Sequence, residues 1–159
     1  MRLEQLYPDW GLTHQQLLET LEFLTDAQLE YRPHPETPSI RDIVLRLIRE
    51  ERYWIGTLIA SFAEYRPVEA EHRTTGQLIE ALTVTRQITV RVMEPYSTEG
   101  LRAVRAVPAD PAQNRPETNM PVSRLIWHAV EQELMAWGQI TQRLDDFKKL
   151  GPPRDVRRN

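Results

Sequence analysis

The sequence predicts an all-α fold, a four-helix bundle with a long irregular connection before the last helix. Three observations carry that expectation. Four long segments repeat their apolar residues at helical spacing, almost nothing alternates in the manner of a strand, and prolines cluster between the segments. Amphipathic helices of this kind can bury their stripes only against one another, which is the arrangement of a bundle.

The first segment is "DWGLTHQQLLETLEFLT", where Leu17, Leu18, Leu21 and Leu24 follow the i, i+1, i+4, i+7 pattern of one helix face. It is expected to end near Leu24, with "DAQLEYRP" adding a short turn. Pro33, Pro35 and Pro38 then force an extended linker, because proline disfavours helix in the residue before it. Ser39 opens the second helix with Asp42 three positions on, a capping box that uses Asp where Glu is usual. Its apolar face runs from Ile40 through Ile43, Val44, Leu47 and Ile48 to Trp54, Ile55, Leu58, Ile59 and Phe62, and Pro67 closes the region behind it.

A third helix starts near Thr74 or Thr75 and runs through Leu78, Ile79, Leu82, Ile88 and Val92 to Pro95. Residues 97–119 read as irregular, with "LRAVRAV" as one short edge strand at most. The fourth helix has Pro121 near its first turn, where a missing N–H costs nothing. Val122, Leu125, Ile126, Ala129, Val130, Trp137, Ile140 and Leu144 form its stripe. The chain thus reads as one domain over residues 1–150, and the stop signals Gly151 and Pro152 open a loose tail at 151–159. The long connection suggests a topology other than simple up-down-up-down.

At 159 residues the chain is long enough for one core. A net charge of −3 with no basic stripe argues against nucleic acid as the main partner. No apolar run is long enough to span a bilayer, and the first residues lack a secretory signal, so the expected location is the cytoplasm. The absence of cysteine removes disulfides, thiolate ligands and a cysteine nucleophile.

On a helical wheel, Glu51 falls near the centre of the second helix's apolar face and Glu133 near the centre of the fourth's. A carboxylate facing a core has to be paired, hydrogen-bonded or protonated. To one side of each stripe lie Arg46 and Glu50 on the second helix, and His128 and Gln132 on the fourth. If those helices are neighbours, these four line one polar cleft. The structural alternatives stand beside this reading: buried carboxylates paired with arginines, a boundary histidine, and Arg46 with Glu50 as a surface i, i+4 pair. Trp54, Trp127 and Trp137 fit a core or a cleft wall, and His14, His34 and His72 have no spacing that converges.

"TDAQLEYRPHPETPSIRDIVLRLIREERYWI" resembles the linker and second helix of the DinB-like (YfiT-like) bundles, and "WHAVEQELMAWGQI" is similar to their last helix. The likeness spans roughly residues 10–147. It implies a bundle, commonly a homodimer, with a divalent metal held by three histidines. One histidine comes from a serine-led "S…HL" pattern and two from "HExxHxGQ". Characterised relatives include metal-dependent thiol transferases. Against that pattern, Arg46 stands where the first histidine belongs, and Gln132 and Ala136 stand at the other two. Glu133, Gly138 and Gln139 keep the frame. His128 and Glu131 match an upstream "WHxxEH" found in some relatives, outside the usual ligand set.

The expectation is therefore no metal. A guanidinium at Arg46 repels a dication and attracts an anion or neutralises Glu50 or Glu133, and amide and methyl groups do not replace imidazoles. Cleft candidates are Arg46, Glu50, Glu51, His128, Glu131, Gln132 and Glu133, with no catalytic residue assigned. The favoured reading is a metal-free descendant that binds a small ligand or a partner through the residual cleft. The alternatives are a metal-dependent transferase or hydrolase with a rearranged zinc or nickel site, metal-free acid–base chemistry by Glu51, Glu133 and His128, and a structural protein whose function is its dimer.

Overall fold

The computed structural model describes residues 3–63 and 74–151 and is mostly helical. A short α1 (Leu3–Leu6) precedes α2 (Pro8–Glu22), which begins with proline in its first turn. The turn after it is a helical turn, α3 (Asp26–Leu29), closed by a reciprocal capping box between Thr25 and Gln28. Ser39 and Asp42 form the same device at the start of α4 (Ile40–Glu51), as Thr74 and Gln77 do for α5 (Thr75–Met93). The last helix is α6 (Val122–Leu150). Pro67, His72 and the tail beyond Gly151 lie outside the described residues.

Two local features depart from the sequence expectation. The second helix continues past Glu51 as a π-helical run, Arg52–Thr57, and Leu58 N–H reaches Tyr53 C=O at 3.0 Å. The wider turn keeps Trp54 and Ile55 buried while the α-helical ladder is interrupted. The expected single edge strand is instead one arm of an antiparallel pair, β1 (Val104–Val107) with β2 (Thr118–Pro121), in the register Val104↔Pro121 to Val107↔Thr118. "TNMP" carries no alternation and ends in proline, so the sequence did not mark it. Pro121 closes β2 and caps α6, and Val122 N–H extends the pairing to Ala103 C=O at 2.8 Å.

Helix α4 packs on α5 and α6, and α2 packs on the same two helices from the other side. Arg46 meets Gln139 while Trp54 meets His128, so α4 and α6 are antiparallel. Along α2, Trp10 joins one apolar cluster and Leu17 the other, whereas α4 visits the clusters in the reverse order, with Ile48 before Ile55. By the same ordering α5 runs with α4, from Leu82 to Met93, and α6 runs with α2, from Ala129 to Ala136. The departure from simple up-down order therefore lies between α4 and α5. The long connection carrying β1 and β2 joins α5 and α6, which are antiparallel.

Between the two clusters each of these helices places polar residues at the same height: His14 on α2, Glu51 on α4, Thr85, Arg86 and Thr89 on α5, Glu133 on α6. The core is thus two apolar blocks separated by one polar layer. The buried stripe of α5 passes through Thr85 and Thr89; Ile88 and Val92, expected in it, are only half-buried.

Candidate functional site

A cleft of about 490 Å³ runs along the α4–α6 seam. At one end Arg46 donates from Nη2 to Gln139 Oε1. One turn further along α4, Glu50 accepts from Trp54 Nε1 at 3.1 Å, and Gln132 and Met135 form the facing wall. At the other end Trp54 and His128 stack, with ring centroids 4.5 Å apart and an interplanar angle of 21°. Arg115, carried by the segment between β1 and β2, places its guanidinium carbon 5.1 Å from the Trp54 ring centroid. Its Nη2 donates to Tyr53 Oη at 3.3 Å and lies 3.8 Å from Asp110 Oδ2.

The protonation of His128 follows from its surroundings. Nδ1 lies 3.2 Å from Glu131 Oε2, and because an ionised carboxylate can only accept, Nδ1 carries the hydrogen. Partial burial pushes the imidazole pKa down and the nearby Arg124 charge pushes the same way. Glu131 opposes them, and the net direction is below the ordinary histidine value. At neutral pH the ring is therefore uncharged, with a lone pair on Nε2. That nitrogen is buried and has no hydrogen-bond partner, and neither has Arg115 Nε. An acceptor and a donor thus stand unsatisfied beside one end of the cleft, where buried polar atoms ordinarily find partners.

Arg46, Glu50, His128 and Gln132 all line the cleft, as their shared sector on the two helices implied. Arg46 is engaged by Gln139, while Glu50 is held by Trp54. Glu131 is not a lining residue. It stands behind the wall, accepting from Trp127 Nε1 at 2.5 Å and orienting His128. Glu51 and Glu133 are corrections to the cleft assignment. Both point into the interior, 1% and 0% exposed, because each sits at the centre of its helix's buried face and the cleft lies to one side.

There they are held by residues the sequence did not assign to a site, including His14, whose spacing points to no convergence. Arg86 donates to Glu51 through Nε at 3.1 Å and to Glu133 through Nη2. Thr89 Oγ1 donates to Glu51 at 2.6 Å. His14 Nδ1 lies 3.1 Å from Glu133 Oε1, and Trp10 Nε1 donates to the second carboxylate oxygen. The Arg86 guanidinium also covers the Trp10 ring at 4.0 Å. Burial by itself would raise the Glu133 pKa. The His14 hydrogen bond, the Arg86 charge and the Trp10 N–H outweigh it and hold the carboxyl below its ordinary value. The available signal was that Arg86 lies between Leu82 and Thr89 on one face of α5, and that His14 lies between Trp10 and Leu17 on α2.

The positions where the resemblance implies metal ligands do not fit a metal. Arg46 and Gln132 face the cleft with a cation and an amide, and Ala136 is buried in an apolar cluster. Among the described residues no group of three histidine, aspartate or glutamate side chains is placed to hold an ion. Nor is any described helix long and apolar enough to cross a membrane. Compared with known proteins, the chain matches no family model and no curated protein.

Proposed function

We propose that the chain is a DinB-like four-helix bundle without the family's metal, and that its α4–α6 cleft takes a small anionic ligand. The observation that carries this reading is that two arginines, Arg46 and Arg115, line the cleft toward its opposite ends. A guanidinium offers a planar fork to carboxylate or phosphate, and two of them in one partly enclosed cleft favour an anion over a cation. The volume lies in the range of small-molecule sites, and Trp54 and Met135 supply apolar wall. The helix order described above, with α2 and α6 parallel and α4 and α5 opposed to them, supports the bundle assignment.

The test is an NMR titration of the labelled protein with a panel of carboxylates, phosphate and sulfate. The reading expects saturable shifts at the Arg46, His128 and Arg115 side chains, with Arg46→Gln weakening the binding. Shifts confined to other surfaces, or none at all, would overturn it.

A further inference from the structure

We infer that the cleft holds its anion at one end, on a donor pair made by Arg46 and Gln139, with Gln139 as a binding residue that also positions the Arg46 guanidinium. The group taken there is a single oxyanion: a carboxylate, phosphate or sulfate. This rests on the anionic-ligand reading above and adds where the anion sits and what holds it.

Both residues stand at the edge of a buried stripe. Leu47 beside Arg46 and Ile140 beside Gln139 are buried, so the two polar side chains emerge together where the α4–α6 seam opens into the cleft. Arg46 Nη2 donates to Gln139 Oε1. A guanidinium has no acceptor, so Gln139 has to offer Arg46 its oxygen, which turns the amide N–H groups the other way. What the pair leaves over consists of donors alone, the remaining guanidinium N–H groups and the Gln139 amide. Among the described residues these donors have no hydrogen-bond partner, and unlike Arg115 Nε they are not buried.

The charges along the cleft select the same end. Arg115 already faces Asp110 Oδ2 at 3.8 Å and Tyr53 Oη at 3.3 Å. Arg41, Arg86 and Arg143, half-buried like Arg46, also each face a carboxylate. Arg46 forms no ion pair among the described residues. Glu50, one turn along α4, accepts instead from Trp54 Nε1 at 3.1 Å. A half-buried guanidinium held only by an amide keeps its charge uncompensated. An oxyanion supplies the missing charge and acceptors for both sets of donors.

The experiment is an NMR titration of the ¹⁵N-labelled full chain with acetate, phosphate and sulfate at constant ionic strength. The Gln139 side-chain amide and the Arg46 guanidinium are expected to shift together and saturate at one Kd. Whichever ion does this, acetate or a tetrahedral one, supports the pair and names its oxyanion. Gln139→Met removes the amide without adding charge and is expected to weaken binding at least about tenfold. Gln139→Glu is expected to abolish it, because the carboxylate becomes the ion-pair partner of Arg46. Circular dichroism checks that the variants fold, and Gln139→Asn, whose shorter amide falls out of reach, replaces Gln139→Met if that variant does not. A Gln139 amide that stays fixed while Arg46 titrates, or an affinity that Gln139→Met leaves unchanged, would overturn the inference and leave the anionic reading standing. Saturable shifts at Arg115 without any at Arg46 would do the same. Silence from all three anions overturns both.

Discussion

Glu51 on α4 and Glu133 on α6 share one guanidinium, that of Arg86 on α5, in the middle of the interior. The three side chains are 2%, 1% and 12% exposed, and His14 and Trp10 bring α2 into the same network. A polar layer at this depth fixes the register of four helices at once. Sliding one helix past the others would strand a carboxylate or the arginine among leucines.

Removing one member is therefore expected to cost more than removing an apolar neighbour's methyl group. Glu133→Gln keeps the shape but leaves Arg86 with less charge to balance it, and a loss of about 3 kcal/mol is expected in urea denaturation. Arg86→Met leaves two carboxylates without their cation and is expected to cost more than Glu133→Gln. A change within experimental error for both variants would contradict the layer's role.

The pH dependence has a definite sign. Glu133 has its carboxyl held below the ordinary value in the folded state, so it binds fewer protons there than in the unfolded chain. Its contribution is fully present above the ordinary glutamate range, near pH 4.3, and is lost as pH falls through the lower folded value. Acid unfolding curves of Glu133→Gln are expected to be flatter in that window than those of the parent.

For His128 the direction is the opposite of a histidine that gains a cationic role. Its pKa lies below about 6.5, so titration by NMR is expected to find a neutral ring at pH 7. Glu131→Gln is expected to lower the value further, since Glu131 favours the imidazolium. Arg124→Gln is expected to raise it.

Metal analysis of protein purified without a histidine tag is expected to find substoichiometric zinc and nickel. Stoichiometric metal that disappears on mutating His128 would replace the present reading with that of a rearranged metal site.

Much of this was legible in the sequence. Helical periodicity located the main helices, Ser39 with Asp42 gave one helix start to the residue, and the wheel put Arg46, Glu50, His128 and Gln132 on one seam. The same wheel put Glu51 and Glu133 at the centre of buried faces. Their partners were harder to see because Arg86 and Thr89 are polar residues in a stripe that periodicity scores by hydrophobicity. Arg115 was invisible for another reason. It reaches the cleft through the β1–β2 pairing, a long-range register that no local pattern encodes. The π-helical run has no residue signature either, since it depends on how Trp54 and Ile55 pack.

The most direct measurement follows the ¹⁵N resonances of the Arg46 guanidinium as a small anion is titrated into the labelled protein at neutral pH. The expected result is a saturable shift as the guanidinium gains a charged acceptor, an effect that Arg46→Gln weakens. Arg46 resonances that stay fixed at every anion concentration, or binding that Arg46→Gln leaves unchanged, would contradict the anion-binding cleft.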